Sequence, residues 1–356
     1  MEAKDSGRLT PRDREILKDV ILTHVLSAEP VSSRSVAKHG NLGLSAATIR
    51  NVMADLEEWG YLMQPHTSAG RVPTRAAYHL FIESMMETKV LPAKERRYIE
   101  ENLKGVSADA DQLMETASHL LSELSSQVGI VVTPALGDTV LKAVDFVPLS
   151  GKKVLCVVVS STGFIDNKVI ETTEEIPRED LVRAANYLSE SFAGQTLREI
   201  RDRLLRMMTE EKAQMDRLMA LAIDLAKSGL DLGSAPGVLV DGATMLLAKP
   251  ELADIQRVRR MFDAFADKAR LVQMLNQCMK GNGVRVLIGE DSALTSELDF
   301  SLVATPYGVG EAPLGTLGIF GPTRMEYQKI IPLVHYLGEV LSKALADSFS
   351  GGPNRK

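Results

Sequence analysis

The sequence predicts an α+β protein on three observations. Up to Glu58 it carries three short amphipathic helical patterns in succession, which run into an extended ribbon punctuated by Pro and Gly. Its middle alternates strand-like runs, GIVVT, TVLKAVDFVPL, KVLCVVVSS and FIDNKVIETT, with turn signals at Ser150-Gly151 and Thr162-Gly163. Its C-terminal part interleaves a helical pattern at about 254 to 279, strands VRVLIG, SLVATPY and LGTLGIFG, and a closing helix from Arg324 to Ala346. With 356 residues there is room for two or three domains, each with its own core.

The elements follow in order. Thr10-Pro11-Arg12-Asp13 reads as a helix start: Thr10 caps, Pro11 sits in the first turn where its missing N–H costs nothing, and Asp13 bonds back to the cap. The helix it opens sets Ile16, Leu17, Val20, Ile21 and Val25 on one face and ends before Pro30. A second begins at Ser32/Ser33, buries Val36 and Ala37 and stops at Gly40. Ser45 caps a third, in which Ile49, Val52, Met53 and Leu56 recur at helical spacing. Helices this short cannot each own a core, so they pack on one another. YLMQP and RVPT then form two short strands around the tip HTSAGR. Helical patterns resume in AAYHLFIESMM, in AKERRYIEENL after Pro92, and in a stripe of Leu113, Ala117, Leu120, Leu121 and Leu124.

A helix-rich block follows the central strands from about 177 to 227. It carries Leu197, Ile200, Leu204, Met208, Met215, Leu218, Ala222 and Leu225 at spacings near three and four, broken at Glu211. Such a stripe fits an intramolecular core; its length and Met content fit a contact with a second subunit. Leu204, Met208, Met215 and Leu218 are the candidate dimer contacts.

Composition narrows the function. A hydrophobic share of 45% with 25% charged residues is that of an ordinary globular protein, and the net charge of -6 confines any nucleic-acid contact to a local patch. Cys156 and Cys278 lie in apolar surroundings without a CxxC partner, so buried free thiols are expected, not a disulfide or zinc site. The N-terminus lacks an apolar signal region and no run approaches the ~18 apolar residues of a membrane span, which predicts a cytoplasmic protein without a membrane partner. The polar end at 350–356 is expected to be mobile. There is no HExxH, GxSxG or GxxxxGK[ST], and Gly308-Val309-Gly310 lies between strands instead of opening a helix. No catalytic residue, metal or cofactor is therefore expected.

What remains is the N-terminal unit. SSRSVAKHGNLGLS supplies a helix, a Gly-containing turn and the start of the third helix, a helix-turn-helix; the ribbon after it supplies a wing. The leading end of the third helix offers small and hydroxylated residues, as a helix entering a major groove requires if its backbone is to approach the base edges. Candidate DNA contacts are Arg34 on the second helix, Ser45, Ala47, Thr48, Arg50 and Asn51 on the third, and His66, Thr67, Ser68 and Arg71 on the wing. The same residues also fit the solvated face of a protein-interaction module, since basic and acidic residues balance over 1–89.

TIRNVMADLEEWGYLMQPHTSAGRVPT, followed far downstream by SLVATPY, LGTLGIFGPTRMEY and a last long helix, resembles the bacterial heat-inducible transcription repressor HrcA family over nearly the whole chain. The resemblance implies a homodimeric repressor on an inverted-repeat operator of double-stranded DNA upstream of chaperone operons, kept active by the chaperonin GroEL. It implies a winged-helix domain at 1–90, a GAF-like domain at 91–147 and 230–349, and an inserted dimerisation domain at 148–229. After RVPT the chain reads RAAYHLF, where many relatives carry a Gly and several aromatics. Two other readings stay open: a winged-helix regulator controlled by a small effector in a GAF-like pocket, and a chaperone-associated interaction protein with no operator.

Overall fold

A computed structural model describes residues 9–40, 43–66, 69–86, 90–106, 110–134, 139–161, 165–200, 202–203, 221–226, 237–252, 254–279, 283–292, 295–296, 299–309 and 312–350, and has mixed α+β architecture. Its N-terminal unit packs helices Pro11–Ser27 (α1), Ser33–His39 (α2) and Ala46–Glu58 (α3) around Ile16, Leu17, Val20, Ile21, Val36, Ile49, Val52, Met53 and Leu56. The capping box is present: Asp13 Oδ2 accepts from Thr10 N at 3.0 Å and from Thr10 Oγ1 at 2.7 Å, while Thr10 Oγ1 accepts from Asp13 N at 3.3 Å. Ser32 caps α2 and Ser45 caps α3.

The ribbon folds back because α3 ends in a left-handed turn: Gly60 has φ +83, and Tyr61 N donates to Leu56 O at 2.9 Å. Leu62–Met63 (β1) then pairs antiparallel with Val72–Pro73 (β2). Thr74 closes the base, donating from Oγ1 to Gly60 O at 2.7 Å and accepting from Ala77 N to cap the next helix. Val31 and Arg71 exchange both backbone hydrogen bonds at 2.8 Å, which adds the segment between α1 and α2 to the hairpin. That approach needs Gly70, where a Cβ would lie 2.4 Å from Val31 O and 2.8 Å from the Pro30 carbonyl carbon. Gly70→Ala is expected to destabilise the protein by about 1–3 kcal/mol, the usual cost of overpacking, read as a lower urea midpoint; an unchanged midpoint would mean the bridge yields freely.

The chain continues as Arg75–Leu80 (α4), a π-helical turn Phe81–Met85, Ala93–Gly105 (α5) and Ala110–Ser125 (α6). Five strands form one antiparallel sheet: Val128–Val132 (β3), Val238–Asp241 (β7), Arg285–Ile288 (β8), Phe300–Val309 (β9) and Ala312–Pro322 (β10), in the order β7-β3-β10-β9-β8. Side chains alternate across it, as the two-residue repeat of a strand demands. Val131, Val303, Leu317 and Ile319 join the core beneath α6 and the last helix, Tyr327–Ser350. Ile130, Val132, Phe300, Leu302 and Phe320 face the opposite layer, with Met261, Leu271 and Met274.

That layer corrects one expectation. Residues 254 to 279 do not form one helix: Ile255–Ala266 and Lys268–Asn276 are separated at Asp267, whose side chain accepts from Arg270 N at 3.1 Å and caps the second. The closing helix begins at Tyr327, not at Arg324, and runs on to Ser350. Cys156 and Cys278 are buried and form no disulfide, and burial pushes the Cys278 thiol up to about 11.

Between β3 and β7 lies a second sheet with its own core. Leu141–Pro148 (β4), Lys153–Ser160 (β5) and Ile165–Glu171 (β6) pair antiparallel in the order β4-β5-β6, with Arg178–Phe192 (α7) on one face. The whole of β4 belongs to this unit, so it begins ahead of the 148 expected from sequence; the 229 boundary lies outside the described residues. The reason is pairing. Thr133 N donates to Gly237 O at 2.9 Å, so the chain leaves and re-enters the five-stranded sheet at adjacent points, and everything between them is spare to that sheet. Leu197, Ile200, Ala222 and Leu225 of the long stripe are buried in this core. Leu204, Met208, Met215 and Leu218 lie outside the described residues, as do 351–356.

The N-terminal unit joins the rest at the end of α1 and along α4. Tyr78 packs on Tyr327 with ring centroids 6.1 Å apart and meets His24 Nδ1 through its hydroxyl at 3.0 Å. Burial, and then the Arg324 guanidinium, hold the His24 imidazole down at about 4, with Glu251 opposing. Unfolded His24 takes a proton near 6.5, before the folded one does, so its contribution is whole above that pH and is lost as pH falls towards about 4. His24→Gln is expected to flatten the fall of the urea midpoint between pH 7 and 4.5; an equally steep fall would relieve His24 of this role.

Candidate nucleic-acid interface

α3 buries Ile49, Val52, Met53 and Leu56 and leaves Ala47, Arg50, Asn51 and Ala54 exposed as a continuous strip. Its N-terminus is bare by construction. Ser45 Oγ accepts from Thr48 N at 3.1 Å and meets Thr48 Oγ1 at 2.9 Å, so the two hydroxyls fold against the first turn and only Ala46 stands between the cap and Ala47. The aligned peptide dipoles leave partial positive charge at this end, which suits phosphate. Arg34, exposed on α2, extends the polar surface. The first three helices and the hairpin therefore carry Arg34, Ser45, Ala47, Thr48, Arg50 and Asn51 on one small unit, with His66 exposed towards the hairpin tip. Thr67 and Ser68 lie outside the described residues.

Arg71 is placed differently from the others. Its side chain is 22% exposed and pairs with Glu57 in the last turn of α3 at 2.7 Å, at the base of the hairpin. The pair ties hairpin to helix and screens one carboxylate of the acidic DLEE run, as a contact between charges in which the buried Arg71 Nε makes no hydrogen bond. Sequence reasoning missed Glu57, because its partner lies across a turn and outside the helix's own i±4 spacing. It also missed Gln64, whose Nε2 donates to Ala69 O at 3.0 Å and braces the hairpin below its tip. Much of the signature PHTSAGRVPT thus has a structural duty: Gly70 and Arg71 by backbone approach, Thr74 by closing the base and capping α4.

No group of three His, Cys, Asp or Glu that could hold a metal occurs among the described residues. None of their helices is long and apolar enough to cross a membrane. On the face of the five-stranded sheet opposite α6, Phe300 and Phe320 meet at a tilt with centroids 5.1 Å apart and Phe265 meets Phe320 edge-on at 5.6 Å.

Known proteins bear on this arrangement directly. Residues 111–331 match the family model described as HrcA protein C terminal domain. The heat-inducible transcription repressor HrcA of Geobacter sulfurreducens is 39% identical over 95% of this chain and 98% of its own length. That of Xanthomonas campestris pv. campestris is 39% identical over 97% of this chain and 98% of its own. A crystal structure of a hypothetical protein, 23% identical, superposes with a TM-score of 0.61 over 97% of this chain and all of that one, and shares the fold. With 39% identity to these relatives over 95% and 97% of its length and the family model matched over 111–331, the chain belongs to the heat-inducible transcription repressor HrcA family.

Proposed function

We propose that this protein binds an inverted-repeat operator upstream of chaperone operons as a homodimer and represses them, with chaperonin keeping it in the active state. The N-terminal unit is read as a winged helix, α3 as its reading helix and the β1–β2 hairpin as its wing; the five-stranded sheet with its helices is read as GAF-like. The observation that carries the reading is the exposed strip Ala47, Arg50, Asn51 behind a small, capped helix start. Dimerisation finds support in the second sheet. Its face away from α7 holds two aliphatic rows, Val147–Leu155–Val169 and Val159–Ile165, on either side of a mixed row Asp145–Val157–Asn167, with Ile165 61% and Val169 52% exposed. An aliphatic sheet face left to water is a self-complementary surface for a second copy under two-fold symmetry.

The test is a gel-shift series on the organism's own chaperonin promoter at fixed salt, across temperature, with and without chaperonin and ATP. Mild heating is expected to abolish binding and chaperonin to preserve it, because a shift of one or two kcal/mol, roughly five- to thirtyfold in the folded ratio, suffices in a marginally stable protein. An active fraction indifferent to chaperonin at every temperature would sink chaperonin control. The small-effector reading is not favoured, since the relatives that match over nearly the whole chain are heat-inducible transcription repressors.

A further inference from the structure

We propose that Arg324 and Glu251 form a clasp on the last turn of α1 that sets the angle at which the reading head is carried, and so which half-site spacing the protein accepts. The inference rests on the two-half-site reading above. Arg324 lies in GPTRMEY, between β10 and the last helix, and its guanidinium makes three contacts at once. Nε and Nη2 engage the two oxygens of Glu251, the latter at 3.1 Å, and Nη1 donates to Val25 O at 3.1 Å. Val25 belongs to the C-terminal turn of α1, whose carbonyls lack partners within the helix. A planar fork fixed by a carboxylate on one side and presenting its remaining N–H to that carbonyl is a directional joint, unlike the apolar contact of Tyr78 with Tyr327.

Burial decides which joint matters. Among the described residues the junction also holds the Arg75–Asp299 ion pair at 3.0 Å and a His79–Asp291 contact at 3.4 Å, with side chains 37%/56% and 37%/35% exposed, where water screens them. Arg324 and Glu251 are 15% and 26% exposed. α3 packs on α1, so the direction of the reading helix follows the end of α1. The apolar core of the head, Ile16, Leu17, Val20, Ile21, Ile49, Val52 and Leu56, runs on through Tyr78 and Phe81 to Tyr327 in the body, so releasing the clasp leaves the head folded on a non-directional apolar contact and loosens its angle.

The experiment uses the full chain with Arg324→Lys, which keeps the charge but loses the fork, and with Arg324→Met combined with Glu251→Gln, which leaves no unpaired charge. Spin labels at Glu58→Cys and His335→Cys, diluted with unlabelled protein, read the distance from head to body without DNA. The DNA probes are inverted repeats enriched from a random pool by the wild-type protein, and the same duplexes with about five base pairs, half a helical turn, added between half-sites. Both variants are expected to broaden a narrow wild-type distance distribution. Both should also reduce the preference for the enriched spacing by about tenfold, with affinity for an isolated half-site unchanged. A distribution and a spacing preference equal to wild type in both variants would overturn the clasp. If the wild type enriches no inverted repeat, the operator reading falls on its own, and the distance measurement alone decides: broadening supports the joint, and an unchanged width overturns it.

Discussion

Operator affinity is expected to fall by about 1–3 kcal/mol for Arg50→Ala and by a similar amount for Asn51→Ala, as for loss of a bidentate base contact, or roughly tenfold and more for each. Both side chains project from the exposed strip of α3, opposite a face that is wholly buried, so truncation removes reach without disturbing the core. Kind of contact and size of effect separate in the same titration. A base contact made by Arg50 relaxes the preference at one operator position, while a phosphate contact weakens all sequences alike and lowers the salt slope by about one. Fluorescence anisotropy on the promoter duplex at several salt concentrations distinguishes the two. Unaltered affinity in both variants would remove α3 as the reader.

The second large effect concerns the outer face of the three-stranded sheet. Ile165→Glu together with Val169→Glu places one charge on each of the two aliphatic rows that flank the mixed row Asp145–Val157–Asn167, away from the α7 core, so the unit itself stays folded. Sedimentation is expected to show a monomer, and protection of the paired half-sites should fall by about a hundredfold or more, because a tethered second head contributes 10²–10⁴ in avidity. A tight dimer that survives both charges would put the interface on another surface.

Sequence and structure divide along the range of the interactions involved. The starts of α1, α2 and α3, the buried face Ile49–Val52–Met53–Leu56 and the strip of Arg50 and Asn51 were legible because caps and helical periodicity are settled within a few residues. The family was legible for a related reason: PHTSAGRVPT packs several close-range duties, a tight backbone approach at Gly70 and a closing hydroxyl at Thr74, into one short segment. The break at Asp267 was local too, yet it went unread, since an acidic residue inside a helical pattern looks the same whether it faces solvent or caps a new start.

Other features belonged to tertiary structure alone. β4 had the alternation of any half-buried strand, and only its pairing with β5 assigned it to the second sheet. Arg71 read as a free cation until the hairpin brought it to Glu57. Arg324 and Val25 stand 299 residues apart, and no pattern along the chain announces that they meet. By itself the sequence determined which segments become helices and strands and which unit bears the exposed polar strip of α3, because those depend on neighbours along the chain. Tertiary structure decided which strands share a sheet, which charges are paired and how the head is held, because a long-range contact exists only once the chain has closed the loop between its partners.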